Sequence, residues 1–382
     1  MDSRMKNNIF FGGLLAFISL FCFFYSCSVS TKTQKFKNET FMLVGTYTEE
    51  GSDGIYIYKF NQETGDFNYI YSQAVKNPSY LIQSANHQYI YSVSENNEED
   101  IDAVYSYRWN EDETSLVPVD SCLTYGTAPC YIMNSFDGRL VVTANYMGGS
   151  LSFFDVDQNG LFSKPHIVEF NSDIGVVQDR QEQSHLHCVY QSPDSLYLFA
   201  NDLGADKIYR FDLKDNNYTL SPEFTLNLKL GSGPRHTIFH PNKKWAYLIT
   251  ELSGEVLAFE YKNGNLDLFQ TIKADSLNAQ GSGDIQITPN GRFIYASNRL
   301  KGDGVAIFEV DSLSGELESV GYQETGAHPR NMSISPNGKF ILVACRDRNV
   351  IEVYEINQNT GLLTKKKSEM NISMPVCIKF II

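Results

Sequence analysis

From residue 41 onward, apolar and polar positions follow one another in short runs that alternate with period two or are apolar throughout, each bounded by turn residues. Such runs predict β-strands rather than helices. One unit recurs: "NPSYLIQSANHQYIYSVSE" (77–95), "APCYIMNSFDGRLVVTANY" (128–146), "LHCVYQSPDSLYLFAND" (186–202), "GPRHTIFHPNKKWAYLITE" (233–251), "SGDIQITPNGRFIYASNR" (282–299) and "HPRNMSISPNGKFILVACR" (328–346). Each reads as strand, tight turn, strand. In "SPD", "HPN", "TPNG" and "SPNG", Pro presets φ, and Asn or Gly accepts the left-handed region. Two more strands lie between successive units, as in "DGIYIYKFNQETGDFNYIYSQ" and "GVAIFEVDSLSGELESVGY". The repeat is therefore four antiparallel strands in roughly fifty residues, the pattern of a propeller blade.

Aligned on the proline or its equivalent, the units begin at 78, 129, 186, 234, 282, 329 and 375. The seventh, "MPVCIKFII", supplies one strand. At the other end, "FMLVGTYT" (41–48) reads as the second strand of a repeat with no first. The expected fold is an all-β, seven-bladed β-propeller over residues 41–382, with four antiparallel strands per blade. The C-terminal strand joins three N-terminal ones to close the ring, which leaves no open edge between first and last blade.

Aromatic residues make up 13% of the chain, with 23 Tyr and 25 Phe, which favours strands. Net charge is −14, so a nucleic-acid backbone is not an expected partner. Ahead of the repeats, Arg4 and Lys6 precede an uncharged run from Asn7 to Ser30. Residues 1–30 read as an export signal. The stretch "FFYSC" resembles a bacterial lipoprotein signal, with Cys27 as the lipidated residue and 31–40 as a polar tether. An ordinary signal peptide or an uncleaved anchor are the alternatives, and all three export the domain. The expected location is the periplasmic face of a bacterial membrane, held only by the lipid; the alternative is a soluble periplasmic or secreted protein. Of seven cysteines, five lie in the repeats without a CxxC pair, so buried free thiols are expected rather than a disulfide framework or a zinc site.

In a propeller the first strand of each blade lines the central channel, and the second runs antiparallel beside it. The start of one and the end of the other therefore share a channel mouth. The column after the proline position reads Ser79, Cys130, His187, Arg235, Gly283, Arg330, Val376, and the next reads Tyr80, Tyr131, Cys188, His236, Asp284, Asn331, Cys377. The second strands end on Glu95, Asn145 and Tyr146, Asp202, Glu251, Arg299 and Arg346; His185 precedes its strand, and Tyr47 comes from the N-terminal repeat. Solvated strand ends usually carry Lys and Glu, whereas these carry Arg, His, Asp and Glu. A functional funnel is the expected reading. Asp202 reads equally well as a turn cap, and His240, in its "HPN" turn, as structural.

The segments "SHLHCVYQSPDSLYLFANDLGADKIYRF", "GSGPRHTIFHPNKKWAYLITELSGEV", "GSGDIQITPNGRFIYASNR" and "HPRNMSISPNGKFILVA" resemble the seven-bladed propeller lactonases, a family that includes propeller-type 6-phosphogluconolactonase and the fungal carboxymuconate cyclase. The resemblance covers roughly residues 41–382. It implies a site of one histidine, two arginines and a glutamate, which fall on His185 or His187, Arg235, Arg299 and Glu251.

The reaction so implied is hydrolysis of a sugar-derived lactone through an oxyanionic tetrahedral intermediate. Arg235, Arg299 and Arg330 would clamp a carboxylate or phosphate and stabilise the developing charge. Glu251 or a histidine of "SHLH" would serve as general base or acid. His236, Asp202, Asp284, Asn145 and Tyr47 are expected to help bind the substrate. No serine-nucleophile motif is present, so direct attack by water is expected. The arginines would repel a cation, so neither metal nor other cofactor is expected. The expected partner is a small anionic or sugar-lactone substrate, and the protein is expected to be a monomer. The alternatives are a carboxymuconate-type cycloisomerase and an exported propeller that binds an anionic ligand without turnover. Because the funnel is expected to be wet, Arg235 is expected to matter little for stability.

Overall fold

A computed structural model of the chain describes residues 38–96, 102–112, 114–171, 175–213 and 220–381. The export signal, Cys27 and most of the tether lie outside the described residues. Among those described, 28 β-strands form seven four-stranded antiparallel sheets. The innermost strands are β4 (Leu81–Gln83), β8 (Pro129–Asn134), β12 (Leu186–Gln191), β16 (Pro234–Phe239), β20 (Ser282–Ile287), β24 (Pro329–Ile334) and β28 (Pro375–Ile381). They pack against one another in chain order, and β28 meets β4 to complete the circle. We number the blades 1 to 7 in the order of these strands. Blade 7 is assembled from both ends of the domain, as expected. There β28 pairs with β1 (Glu39–Thr46), Phe41 opposite Ile381 and Val44 opposite Ile378, and β1 leads on to β2 (Gly54–Asn61) and β3 (Phe67–Ala74).

Why the second strands are so apolar follows from their position. Every residue of β17 (Trp245–Thr250), β21 (Phe293–Asn298) and β25 (Phe340–Cys345) is buried. Each lies inside a blade with another blade on either face, so neither side of the strand meets water and strict alternation is lost. An outermost strand such as β23 (Leu317–Glu324) varies between buried and exposed positions instead. The tight turns also behave as their sequences predict. The same turn position takes positive φ in six blades, at His87, Gly138, Ser195, Lys243, Gly291 and Gly338. His240 has a structural role, accepting the Asn242 N–H at Nδ1 and bonding the Gly291 carbonyl through Nε2. All five cysteines of the propeller are free.

Neighbouring blades are joined by a recurring contact. The turn between the two outer strands carries a left-handed glycine that lies on an aromatic ring starting the second strand of the preceding blade. Gly315 sits on Trp245, Gly361 on Phe293, and Gly65 on Phe340. Tyr247 and Tyr295 add hydrogen bonds to the Gly315 and Gly361 carbonyls, at 2.8 and 2.9 Å. A Cβ on Gly315 would come within 2.4 Å of the Trp245 ring, at φ +79°. Gly315→Ala is therefore expected to cost about 2–4 kcal/mol, from left-handed strain plus overpacking. Chemical denaturation of the single variant measures this, and a loss below about 1 kcal/mol would mean that the ring moves aside.

Candidate active site

The site is built on a repeated slip in strand pairing. In β16, Pro234 pairs with Thr250 and His236 with Ile249, so Arg235 is left over. The same slip leaves over Cys130, His187, Arg330 and Val376, and in β20 it spans Gly283 and Asp284. A bulge bends the strand and redirects the extra residue. The column after the proline position is thus set apart from the ladder at the channel mouth.

Glu251 is the centre of the arrangement. Its N–H bonds the Gly233 carbonyl at the end of the hairpin. Its Oε2 accepts from Arg235 Nε at 2.8 Å, its Oε1 accepts from Arg180, and the same oxygen forms an ion pair with Arg299 Nη2 at 3.2 Å. Burial alone would raise the Glu251 pKa, but Arg299, Arg235 and Arg180 together hold it down at about 2. Arg235 also donates from Nη1 to the Gly283 carbonyl of the next blade at 2.9 Å and to His236 Nε2 at 3.2 Å. The expectation of a wet position is corrected here: the Arg235 side chain is 2% exposed and ties blade 4 to blade 5. Arg299 is similarly fixed by the Gly281 and Ser282 carbonyls and by His328.

Two histidines sit beneath and beside these guanidiniums. His236 bonds Asp284 through Nδ1 at 2.8 Å, which leaves Nε2 to accept from Arg235. Asp284 in turn is fixed by Asn331, Gln286 and the Met332 N–H. Burial, together with Arg235, lowers the His236 pKa to about 4. The Tyr80 and Tyr131 rings pack edge-on against His236 and floor the funnel. His187 lies 5.2 Å from the His236 ring, centroid to centroid, with Nδ1 3.8 Å from Cys130 Sγ. Burial, then Arg235, His236 and Arg330, holds His187 well below the usual histidine range, so it is neutral at pH 7. A neutral imidazole among guanidiniums can accept a proton while nearby cations hold an oxyanion.

The remaining predicted residues divide. Tyr47 of blade 7 and Arg330 of the adjacent blade 6 come together, with Arg330 Nη2 donating to the Tyr47 hydroxyl at 2.9 Å. This is the only hydrogen bond of the Arg330 guanidinium among the described residues. It leaves free donors at the funnel. His185 is stacked on Tyr146 and bonds the Tyr146 carbonyl through Nδ1 at 2.9 Å, with Nε2 toward Glu182. Of the two "SHLH" histidines, His187 is therefore the one that joins the arginine cluster. Asp202 acts as a turn cap, accepting from the His185 and Ala205 N–H groups and from the Tyr209 hydroxyl. Asn145 bonds Ser150 and Ser152 within its own blade. Neither of these last two reaches the guanidiniums.

Arg180 is a site residue that sequence reasoning missed. It lies on the irregular segment between blades 3 and 2, outside the repeat columns. The buried Gln181 fixes that segment, donating to the Leu203 carbonyl at 2.9 Å and accepting from the Val177 N–H. A signal was present: Arg180 is the one arginine or lysine in the long polar stretch from Asn171 to Ser184. Among the described residues, no three His, Cys, Asp or Glu side chains converge where they would hold a metal ion.

Comparison with known proteins gives consistent matches. The profile of the family described as "Lactonase, 7-bladed beta-propeller" matches residues 41–380. A Formosa agariphila protein named 6-phosphogluconolactonase is 34% identical over 343 residues, covering 87% of this chain and 97% of its own. A Bacillus subtilis protein of the same name is 34% identical over 347 residues, covering 88% and 97%. Among solved structures, one from Pseudomonas aeruginosa, described as a periplasmic gluconolactonase, has TM-score 0.84 at 31% identity, covering 90% and 99% of the two chains.

Proposed function

This chain belongs to the seven-bladed β-propeller lactonase family, and on that premise we propose that its funnel hydrolyses a sugar-derived lactone of the 6-phosphogluconolactone type by direct attack of water. The observation that carries this reading is a neutral imidazole, His187, in a funnel where three guanidiniums share the low-pKa carboxylate of Glu251 and a fourth, Arg330, keeps donors free. The whole chain carries −14, yet the funnel is cationic. Such a contrast draws an anionic substrate to one place and steers it in.

In this mechanism His187 takes a proton from water as its oxygen attacks the lactone carbonyl. The negative charge that develops on the carbonyl oxygen is met by guanidinium donors already held in position, so little reorganisation is required. Arg235 and Arg299 are fixed by Glu251 and by backbone carbonyls. Arg330, with donors free, takes the substrate's own carboxylate or phosphate. His236 and Asp284 act through Arg235 and serve to position it.

The test is a lactone panel, with and without a 6-phosphate, assayed by acid release. The panel should show catalysed hydrolysis that saturates, and absence of turnover on every member would end the reading. Arg330→Lys should lower kcat/KM by roughly a hundredfold, because an ammonium cannot reproduce the guanidinium fork. Stability should change little, since Arg330 has one hydrogen bond to lose.

The same proposal places the enzyme outside the cytoplasm as a monomeric lipoprotein anchored through Cys27. It rests on the "FFYSC" segment and on the polar tether that follows it. Cys27→Ala should release the processed protein from the membrane fraction; a processed variant that still sediments with membranes would rule the anchor out.

A further inference from the structure

We infer that Glu95 is the general acid that protonates the departing ring oxygen, so that the funnel divides its chemistry between two carboxyl groups in matching repeat positions. The inference rests on the lactonase reading above and adds a residue to it. Glu95 follows β5 (Tyr89–Ser94) in blade 1 just as Glu251 follows β17 in blade 4. Matching positions lie at matching depth, and three blades on around a ring of seven places the two carboxyl groups nearly opposite one another.

Their surroundings differ in kind. Glu251 touches three guanidiniums and remains a carboxylate. Glu95 makes no direct ion pair among the described residues. Its Oε2 accepts the Tyr47 O–H at 3.0 Å, and that hydroxyl is turned toward Glu95 because its oxygen already accepts from Arg330. This leaves Oε1 to carry a proton. The groups facing Glu95 are Tyr47 of blade 7, Arg330 of blade 6, Ser79 and Asp102 of its own blade, and Cys130 of blade 2. Burial raises its pKa above the usual carboxylate range, and Asp102 adds to this. Arg330, Ser79 and Tyr47 oppose the rise without cancelling it. Two carboxyl groups driven apart in this way are the pattern by which an acid is separated from an electrostatic partner. Cys130, in the blade between those that carry Glu95 and His187, is near both of them.

The step balances. His187 accepts one proton from water as the new C–O bond forms and the carbonyl electrons move to oxygen. Collapse restores the carbonyl and breaks the bond between that carbon and the ring oxygen. The ring oxygen departs with the electron pair and takes the Glu95 proton. The proton on His187 returns to Glu95 through solvent, and lactone plus water has become hydroxy acid.

The experiment measures kcat, KM and the pH profile of hydrolysis of δ-gluconolactone and its 6-phosphate by the wild type, Glu95→Gln and Tyr47→Phe, with a thermal melt of each. Glu95→Gln should lower kcat by at least about a hundredfold with little change in KM, and should abolish the alkaline fall of kcat/KM. Tyr47→Phe removes a donor that favours the carboxylate, so it should keep that alkaline limb but move it to higher pH. A Glu95→Gln enzyme with wild-type kcat, or with the limb intact, overturns the assignment. Should Glu95→Gln fail to fold, an unmoved limb in Tyr47→Phe overturns it. Failure of the lactonase reading is seen separately, as a wild type inert on both lactones, and the acid assignment falls with it.

Discussion

His187→Gln should reduce kcat by about a hundredfold to ten-thousandfold, the range expected for loss of a general base. Its stability should fall by about 1 kcal/mol or less, because the side-chain partner of the imidazole among the described residues is the long approach of Nδ1 to Cys130 Sγ at 3.8 Å. The pH profile gives a second reading. His187 is held well below the usual histidine range by burial and neighbouring cations, so the acid limb of the wild-type kcat/KM should lie well below pH 6.5. Activity within threefold of wild type in His187→Gln would move the base elsewhere. An acid limb near pH 6.5 would mean that the imidazole is not shielded from protonation.

Glu251→Gln should be destabilising by about 3–5 kcal/mol, the cost of removing one partner from a buried charge cluster. Arg180, Arg235 and Arg299 would then face one another around a neutral amide. The wild type carries the same information in its acid stability. The folded pKa of Glu251 is about 2, below the ordinary unfolded value near 4.3. Its contribution is complete above the unfolded value and is lost as pH falls from there toward 2, so stability should drop across that window. In Glu251→Gln the drop should be shallower by on the order of 3 kcal/mol. Equal acid sensitivity in the two proteins would show that the guanidiniums do not depend on this carboxylate. Activity should be lost as well, because the same arginines are the ones arranged to meet the oxyanion.

The ring could be read from sequence because each blade repeats the same compromise between alternation and full burial, and because two incomplete repeats sit at opposite ends. Residues on the repeat columns were legible for the same reason: Arg235, Glu251 and Arg299 meet where the alignment puts them. What was not legible depended on contacts between repeats. The burial of Arg235 follows from the Gly283 carbonyl of the next blade. Arg180 lies off the repeat, and its place is fixed by contacts such as those of the buried Gln181 and Glu251. Asp202 occupies a column position but turns back to cap its own loop. In this fold a column fixes the place of a Cα; the direction of the side chain is decided by what the neighbouring strand leaves unpaired.

The slipped residue of each innermost strand carries one more implication, for how such a protein changes over time. Because that residue stands outside the pairing ladder, the ladder itself does not dictate its identity, although Arg235 is also held by Glu251 and the next blade. One ring accordingly accommodates Cys130, His187, Arg235, Gly283, Arg330 and Val376 at equivalent places, spanning thiol, imidazole, cation, bare backbone and alkyl group. Where the residue makes no tie to a neighbouring blade such as that of Arg235, substitution alters what the mouth recognises while leaving the pairing ladder intact. The propeller thus separates inheritance of shape from inheritance of chemistry, and new specificities can be sampled one blade at a time.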